Sequence, residues 1–113
     1  MNTFARLGCP LLVAFVASLS LAAQAGDAAA GKEKAVTCNA CHGEDGVALQ
    51  PTYPNLAGQY ESYLVQALES YRSGSRENAI MYGFAAQLSD DDIEDLAAWF
   101  SSLPGTLQTA PIP

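Results

Sequence analysis

Positive charge is scarce in this sequence. The 113 residues include five Lys and Arg and 12 Asp and Glu, which gives a formal net charge of −7. Nucleic-acid phosphates and anionic bilayers are bound by clusters of Lys and Arg, so the composition argues against both as partners. Charged residues make up only 15% of the chain and hydrophobic residues 50%. That balance argues against an intrinsically disordered acidic chain, and the length is typical of a single domain.

The sequence also lacks a hydrophobic run long enough to cross a membrane. Its most apolar stretch, residues 11–23, has 13 residues, whereas a spanning helix needs about 20. Arg6 precedes this stretch and Ala23-Gln24-Ala25 follows it, so residues 1–25 have the three parts of a Sec-type signal peptide. We therefore expect export with cleavage after Ala25, the alternative being an uncleaved anchor. Cys9 precedes the apolar run rather than ending it, and a single Arg does not fit the twin-arginine signal.

Reactive side chains are few once such a segment is removed. Residues 26–113 would carry a net charge of −8 and keep two cysteines, Cys38 and Cys41, one histidine, His42, and one methionine, Met81. A domain of 88 residues buries a modest core and often needs a covalent or metal staple. Two cysteines three positions apart close too small a loop to staple a domain. Something other than a disulfide must therefore stabilise it.

Internal repeats and the alternating pattern of strands are missing too. Apolar residues recur at helical spacing instead. They predict helices over 28–38, capped by Asp27, over 60–73, ended by Gly74, and from Ser89 to Pro104, with a short turn over 79–86. Asp92 stands at the capping-box position of the last helix. The chain is thus predicted to be all-α, with domain boundaries at 26–103 and a Pro-rich tail at 104–113.

The chemistry-bearing motif is Cys38-Asn39-Ala40-Cys41-His42. C-x-x-C-H is the attachment signature of c-type haem. Cysteines at i and i+3 project from one side of a helical turn, so both thiols can reach the two vinyl groups of one porphyrin. The histidine that follows can then place its imidazole under the iron. One covalent haem would supply the staple that the cysteines alone cannot.

Two other kinds of site use cysteines at this spacing. A thioredoxin-like redox pair begins a helix that follows a strand, and here no strand precedes the motif. A structural zinc site needs four ligands, but residues 26–113 offer only two Cys and one His. Haem c is therefore the interpretation that the motif favours.

Met81 is the candidate for the second axial position on the haem iron. A thioether is a soft ligand that suits haem iron, and His/Met ligation raises the reduction potential. Met81 lies between two predicted helices, and no second histidine competes with it. The alternatives are that Met81 packs in the core, with the sixth iron position open or occupied by a Lys amine.

Three segments of the sequence resemble a known family. They are CNACHGEDG at 38–46, YPNLAGQ at 53–59 and LSDDDIEDLAAWF at 88–100. Together they resemble the class I cytochromes c, and more narrowly one haem domain of the bacterial cytochrome c4 / c553 group. Cytochrome c4 itself has two such domains in tandem whereas this chain has one, so a single-haem, c553-like carrier is the nearer match.

The resemblance implies a small all-α cytochrome c fold of about four helices around one covalent haem. It also implies roles for particular residues. The axial methionine of the family stands seven positions before the Leu of the Leu-Ser-Asp segment, which here is Met81. A proline carbonyl of the family accepts a hydrogen bond from the ligating histidine, which here pairs Pro54 with His42. The first and last helices of the family cross, which here would bring Gly31 and Ala35 against the helix that begins at Ser89.

The sequence thus predicts a periplasmic one-electron carrier that cycles iron between Fe(II) and Fe(III), as in a respiratory chain, and not an enzyme by itself. Its expected partners are redox proteins, either a membrane oxidoreductase or oxidase or a periplasmic dehydrogenase. The acidic charge predicts a basic docking face on the partner, and we expect a monomer without stable membrane insertion. Two alternatives stay open: a haem subunit permanently bound to a catalytic partner such as a flavoprotein dehydrogenase, and a ligand sensor with open iron.

Overall fold

The computed structural model describes residues 25–105. The predicted signal peptide, apart from Ala25, lies outside these residues, and so does the predicted tail beyond Gly105.

Helices are the only regular secondary structure within residues 25–105. They are α1 (Ala28–Lys34), α2 (Asn39–His42), α3 (Glu61–Ser73), α4 (Ala79–Ala85) and α5 (Asp90–Ser102), with a 3₁₀ turn, Ala35–Thr37, between the first two. The predicted all-α class is confirmed. Four of the helices have seven residues or more, and the Cys-x-x-Cys-His motif adds the four-residue helical turn α2.

The first predicted helix was too long. It continues as α-helix only to Lys34, tightens into the 3₁₀ turn and resumes as α2. The turn closes with the Cys38 N–H donating to the Ala35 carbonyl at 2.8 Å. Val36 and Thr37 are consecutive β-branched residues, which lose χ1 freedom in an α-helix. The interruption therefore falls where the helical propensity of the sequence drops.

The other helix ends follow local signals. Asp27 caps α1 through its side chain, and Gly74 ends α3 in the left-handed conformation with φ 79°. Ser89 and Asp92 form the predicted capping box at the start of α5. The predicted turn over 79–86 is a helix, α4, because the Asn78 side chain caps it.

The contact between α1 and α5 is the main one in the fold. A Cβ placed on Gly31 would lie 1.9 Å from the Asp95 carbonyl oxygen and 2.8 Å from Trp99 Cβ. Ala35, one turn further along, is fully buried and packs in the same core cluster as Leu96. The predicted meeting of the first and last helices at these small residues is confirmed.

An ion-pair cluster joins the same two helices. Lys34 Nζ lies 2.8 Å from Asp92 Oδ1 and 2.6 Å from Asp95 Oδ2, and Asp95 also accepts from the Asp27 N–H at 2.7 Å. Hydrogen bonds that the Lys34 ammonium donates to Asp92 and Asp95 raise the pKa of Lys34. The Lys34 ammonium lowers the pKa of Asp92 to about 2, with help from the Ser89 N–H and hydroxyl.

The core lies between α1, α3 and α5 and contains Ala35, Leu64, Leu96, Ala97 and Phe100. The loop 43–58 is tied to this core by backbone hydrogen bonds, including Gly58 N–H to the Phe100 carbonyl at 3.0 Å. Within residues 25–105 no helix combines the length and hydrophobicity needed to cross a bilayer.

Candidate functional site

Cys38 and Cys41 lie on one turn of helix. The amides of Cys41 and His42 both donate to the Cys38 carbonyl, at 3.2 and 3.0 Å. Both thiols are free and half-buried. Burial raises the pKa of the Cys38 thiol, and a raised pKa disfavours the thiolate that a redox-active pair requires. The helical turn thus places the two half-buried thiols one turn apart, as attachment of one large group requires.

His42 is the buried member of the motif, with 7% of its surface exposed. Its Nδ1 lies 2.9 Å from the Pro54 carbonyl oxygen. A carbonyl only accepts, so Nδ1 is the nitrogen that donates in this hydrogen bond, and in the neutral imidazole Nε2 is then the nitrogen with a lone pair. Such an acceptor fixes the orientation of a metal-binding imidazole and raises its basicity. The structure therefore brings Pro54 to His42 and leaves Nε2 as the nitrogen able to bind a metal.

The loop 43–58 turns the chain from His42 back to Pro54. Gly43 ends α2 with φ 80°, and a Cβ there would lie 2.1 Å from the Val47 carbonyl oxygen. The Gly46 carbonyl accepts from the amides of both Leu56 and Ala57, at 2.8 and 3.0 Å. These bonds close the loop on itself, so the position of the Pro54 carbonyl is set by backbone contacts at both ends.

Met81 lies in the first turn of α4 and is half-buried. Its amide donates to Asn78 Oδ1 at 3.0 Å. At the far end of the same segment, Arg72 Nη1 donates to the Leu88 carbonyl at 3.1 Å, and Arg72 Nη2 lies 2.7 Å from Asp90 Oδ1. The segment that carries Met81 is therefore held at both ends.

The donor set of these residues fits haem c. Two thiols one helical turn apart, an imidazole with a free Nε2 and a thioether are the groups that covalent attachment and His/Met ligation use. Haem would supply an iron that cycles between two oxidation states one electron apart, and an apolar surrounding would shield that iron from water. The half-buried Cys38 and Leu56 pack against the hydrophobic core, so the motif stands at the edge of such a surrounding.

Two contacts that matter for this site were not predicted from the sequence pattern, those of Asn78 and those of Arg72. Asn78 and Arg72 hold the segment of Met81 from either end. An Asn directly before an apolar run is an N-cap signal and could have revealed Asn78. Arg72 acts on residues 16 and 18 positions away, and no local pattern marks such a contact.

Comparison with known proteins agrees with the fold and the motif. The pattern of the family "Cytochrome c" matches residues 28–104. Cytochrome c-554(548) of Halomonas halodenitrificans is 53% identical over 81 residues, which cover 69% of this chain and 98% of that protein. The crystal structure of reduced recombinant cytochrome c4 from Pseudomonas stutzeri superposes with a TM-score of 0.69 at 44% identity, over 74% of this chain and 48% of that one.

The name of a third relative states the enzyme from which that relative accepts electrons. The thiosulfate dehydrogenase electron acceptor of Thiomonas intermedia is 40% identical over 114 residues, covering 100% of this chain and 52% of that protein. The chain thus spans nearly all of the Halomonas cytochrome but only about half of the other two proteins.

These matches define the class of the protein as an all-α, haem-binding electron carrier. The chain belongs to the cytochrome c family, and it groups with cytochrome c4 within that family. Its cofactor is covalent haem c, bound in this family through the Cys-x-x-Cys-His motif that is present here as Cys38, Cys41 and His42.

Proposed function

We propose that this protein is a monohaem, periplasmic one-electron carrier with His/Met axial ligation. The observation that carries the proposal is the hydrogen bond from His42 Nδ1 to the Pro54 carbonyl at 2.9 Å, since it orients the imidazole and leaves Nε2 available as a ligand in the residue that directly follows Cys41. When bound, haem supplies the one-electron Fe(II)/Fe(III) couple.

Each site residue then has a distinct task. Cys38 and Cys41 form the thioether bonds to the haem, and His42 and Met81 are the axial ligands. Pro54 holds the imidazole of His42 in one orientation. This arrangement uses the single histidine of the chain as a ligand and fills both axial positions. We therefore propose that the protein has no enzymatic activity by itself.

The charges of residues 25–105 support a partner with a basic docking face. Lys34 and Arg72 form ion pairs with carboxylates. Lys32 lies over the Trp99 ring at 5.5 Å and Arg76 over the Tyr71 ring at 4.7 Å. The acids of this region outnumber its cations threefold, 12 against four, so the field around the protein attracts a positive surface.

The proposal includes the organisation of the chain. Residues 1–25 act as a cleaved signal peptide, residues 26–103 form the haem domain and residues 104–113 form a Pro-rich tail. The domain acts as a monomer, makes brief contacts with membrane or periplasmic redox proteins in a respiratory chain and does not insert stably in the membrane. Bacterial c-type cytochromes are typically periplasmic, which supports this location.

A second candidate function is that of a haem subunit permanently bound to a catalytic partner. The observation that favours it is the match of the whole chain to half of a thiosulfate dehydrogenase electron acceptor. Gel filtration of native extract separates the two: a free carrier elutes near monomer size and a subunit elutes with its partner.

The visible spectrum of the mature holoprotein tests the axial ligands. We expect a c-type reduced spectrum and, in the ferric form, the weak red band that reports methionine sulfur on iron. Met81→Ala should lose that band and keep the haem, because the thioethers are intact. Ile80→Ala is the matched control, since Ile80 is the neighbouring apolar residue of α4 and is 61% exposed; it should keep the band.

The other outcomes are equally informative. A haem spectrum without the red band in the wild type, with carbon monoxide binding to the reduced protein at neutral pH, would replace the carrier by an open-iron ligand sensor. Absence of haem would contradict the proposal and would favour a role for Cys38 and Cys41 as free thiols.

A further inference from the structure

Asn78 caps the helix that carries Met81. Its Oδ1 accepts from the Ile80 amide at 3.1 Å and from the Met81 amide at 3.0 Å. Its own backbone is extended, with φ −163° and ψ 111°. Asn78 is therefore the residue at which the chain changes direction into α4, and one of its two bonds ends on the backbone of the proposed axial ligand.

α4 packs against α3, but in its first turn Ala79 and Ile80 are exposed and Met81 is half-buried. The helix has seven residues, and Ala85, in its last turn, is the buried one. Ile80 and Phe84 are 61% and 46% exposed. Helices this short are marginal without packing or caps, and the first amides of a helix have no partner within it. The Met81 amide thus depends on the Asn78 side chain for its hydrogen bond.

We infer that Asn78 is a positioning residue for Met81. It fixes the backbone from which the thioether reaches the iron, and so it lowers the population of the state in which that ligand has left. This inference rests on the proposed ligation by Met81. It differs from a general stabilising role because its effect should appear at the iron and not only in the unfolding free energy.

Competition by imidazole measures the effect at the iron. Exogenous imidazole binds the ferric protein when the methionine leaves, so its apparent affinity follows the population of the ligand-free state. Removal of an N-cap costs about 1 kcal/mol, which corresponds to about fivefold in an equilibrium constant. We expect Asn78→Ala to bind imidazole about fivefold more tightly than the wild type and to lose its red band at lower imidazole concentration.

Two variants make the test specific. Asn78→Ser keeps a capping oxygen, since Ser and Asn are similar N-caps, and should bind imidazole within about twofold of the wild type. Asp27→Ala removes the cap of α1, where the same pattern holds: Asp27 Oδ1 accepts from Ala29 and Ala30. It should lower stability as Asn78→Ala does and leave the imidazole affinity unchanged.

The results that overturn the inference are distinct from those that overturn the proposed function. If the wild type shows the red band but Asn78→Ala binds imidazole like the wild type, or Asp27→Ala binds it as tightly as Asn78→Ala, then Asn78 does not act through Met81. If the wild type itself lacks the red band, the ligation by Met81 fails, and the positioning role fails with it.

Discussion

Gly31 lies where α1 closely approaches α5. The Asp95 carbonyl oxygen occupies the space that a Cβ on Gly31 would need, at 1.9 Å, and Trp99 Cβ bounds it on another side at 2.8 Å. The obstacle is backbone of another helix, which cannot move away as a flexible side chain can. A single methyl group at this position must therefore push the two helices apart.

Gly31→Ala should destabilise the protein by about 2 kcal/mol or more, because overpacking forces the backbone to shift. Gly83→Ala is the matched control. Gly83 is also helical, but a Cβ there meets nothing within 4 Å, so the higher helical propensity of Ala should add up to about 1 kcal/mol of stability. Urea unfolding of the two holoproteins gives both values, and equal effects would refute the close contact.

The individual site residues differ in how far the sequence alone predicted them. Cys38, Cys41 and His42 were assigned from their spacing, because the reach of two thiols from one helical turn is a local property. Pro54 came from the resemblance alone. Its carbonyl lies beside His42 because the loop 43–58 closes through the Gly46 carbonyl, and no side-chain pattern encodes that closure.

The Lys34 cluster acts between elements, since it joins α1 to the first turns of α5. The pKa of Asp92 is lowered to about 2, and that of Lys34 is raised. A lowered carboxylate pKa stabilises the fold above the unfolded value of 3.8, and this contribution is lost as the pH falls towards 2. A raised Lys pKa stabilises below the ordinary value of 10.5 and is lost only in strong base.

Lys34→Met should therefore lower the melting temperature by a constant amount between about pH 5 and pH 9, and by a shrinking amount as the pH falls from about 4 to 2. Lys32→Met is the matched control, because Lys32 faces the Trp99 ring at 5.5 Å and has no acidic partner in the ion pairs of this region. Melting curves across the pH range test this, and a Lys34→Met effect that persists undiminished at pH 2 would contradict it.

The ends of the helices were predicted well where a few neighbouring residues form a capping or terminating signal. Gly74 and the Ser89 capping box gave the ends of α3 and α5. The first helix was predicted to run through residues 35–38, because apolar spacing does not distinguish an α-helix from a 3₁₀ turn. The burial of Ala35 against α5 is a tertiary contact that the spacing could not supply.

Charge is a property of the whole molecule here. The four cations of residues 25–105 pair with carboxylates or stack on aromatic rings, while most of the 12 acids face solvent. The domain thus presents a negative field to any partner. A field of this kind changes the rate of encounter more than the strength of the complex.

Oxidation of the reduced holoprotein by small inorganic complexes should show this field. With a cationic cobalt(III) complex the rate should fall as the ionic strength rises from about 0.01 to about 0.15 M, over which the Debye length shortens from about 30 to about 8 Å. With anionic hexacyanoferrate(III), the matched control, the rate should rise over the same range. Stopped-flow spectroscopy measures both rates. If neither rate depends on ionic strength, the prediction of a basic docking face on the partner is contradicted.

The all-α class, the caps of α1 and α5, the acidic balance and the haem-attachment motif could be read from the sequence, because each depends on residues within a turn or two of one another or on composition alone. Folding brings together groups that are far apart in the chain: Lys34 with Asp95 across 61 positions, Arg72 with Leu88 across 16 and His42 with Pro54 across 12. Such contacts depend on the path of the whole backbone through the core, and that path follows from the packing of all the helices together rather than from any one segment.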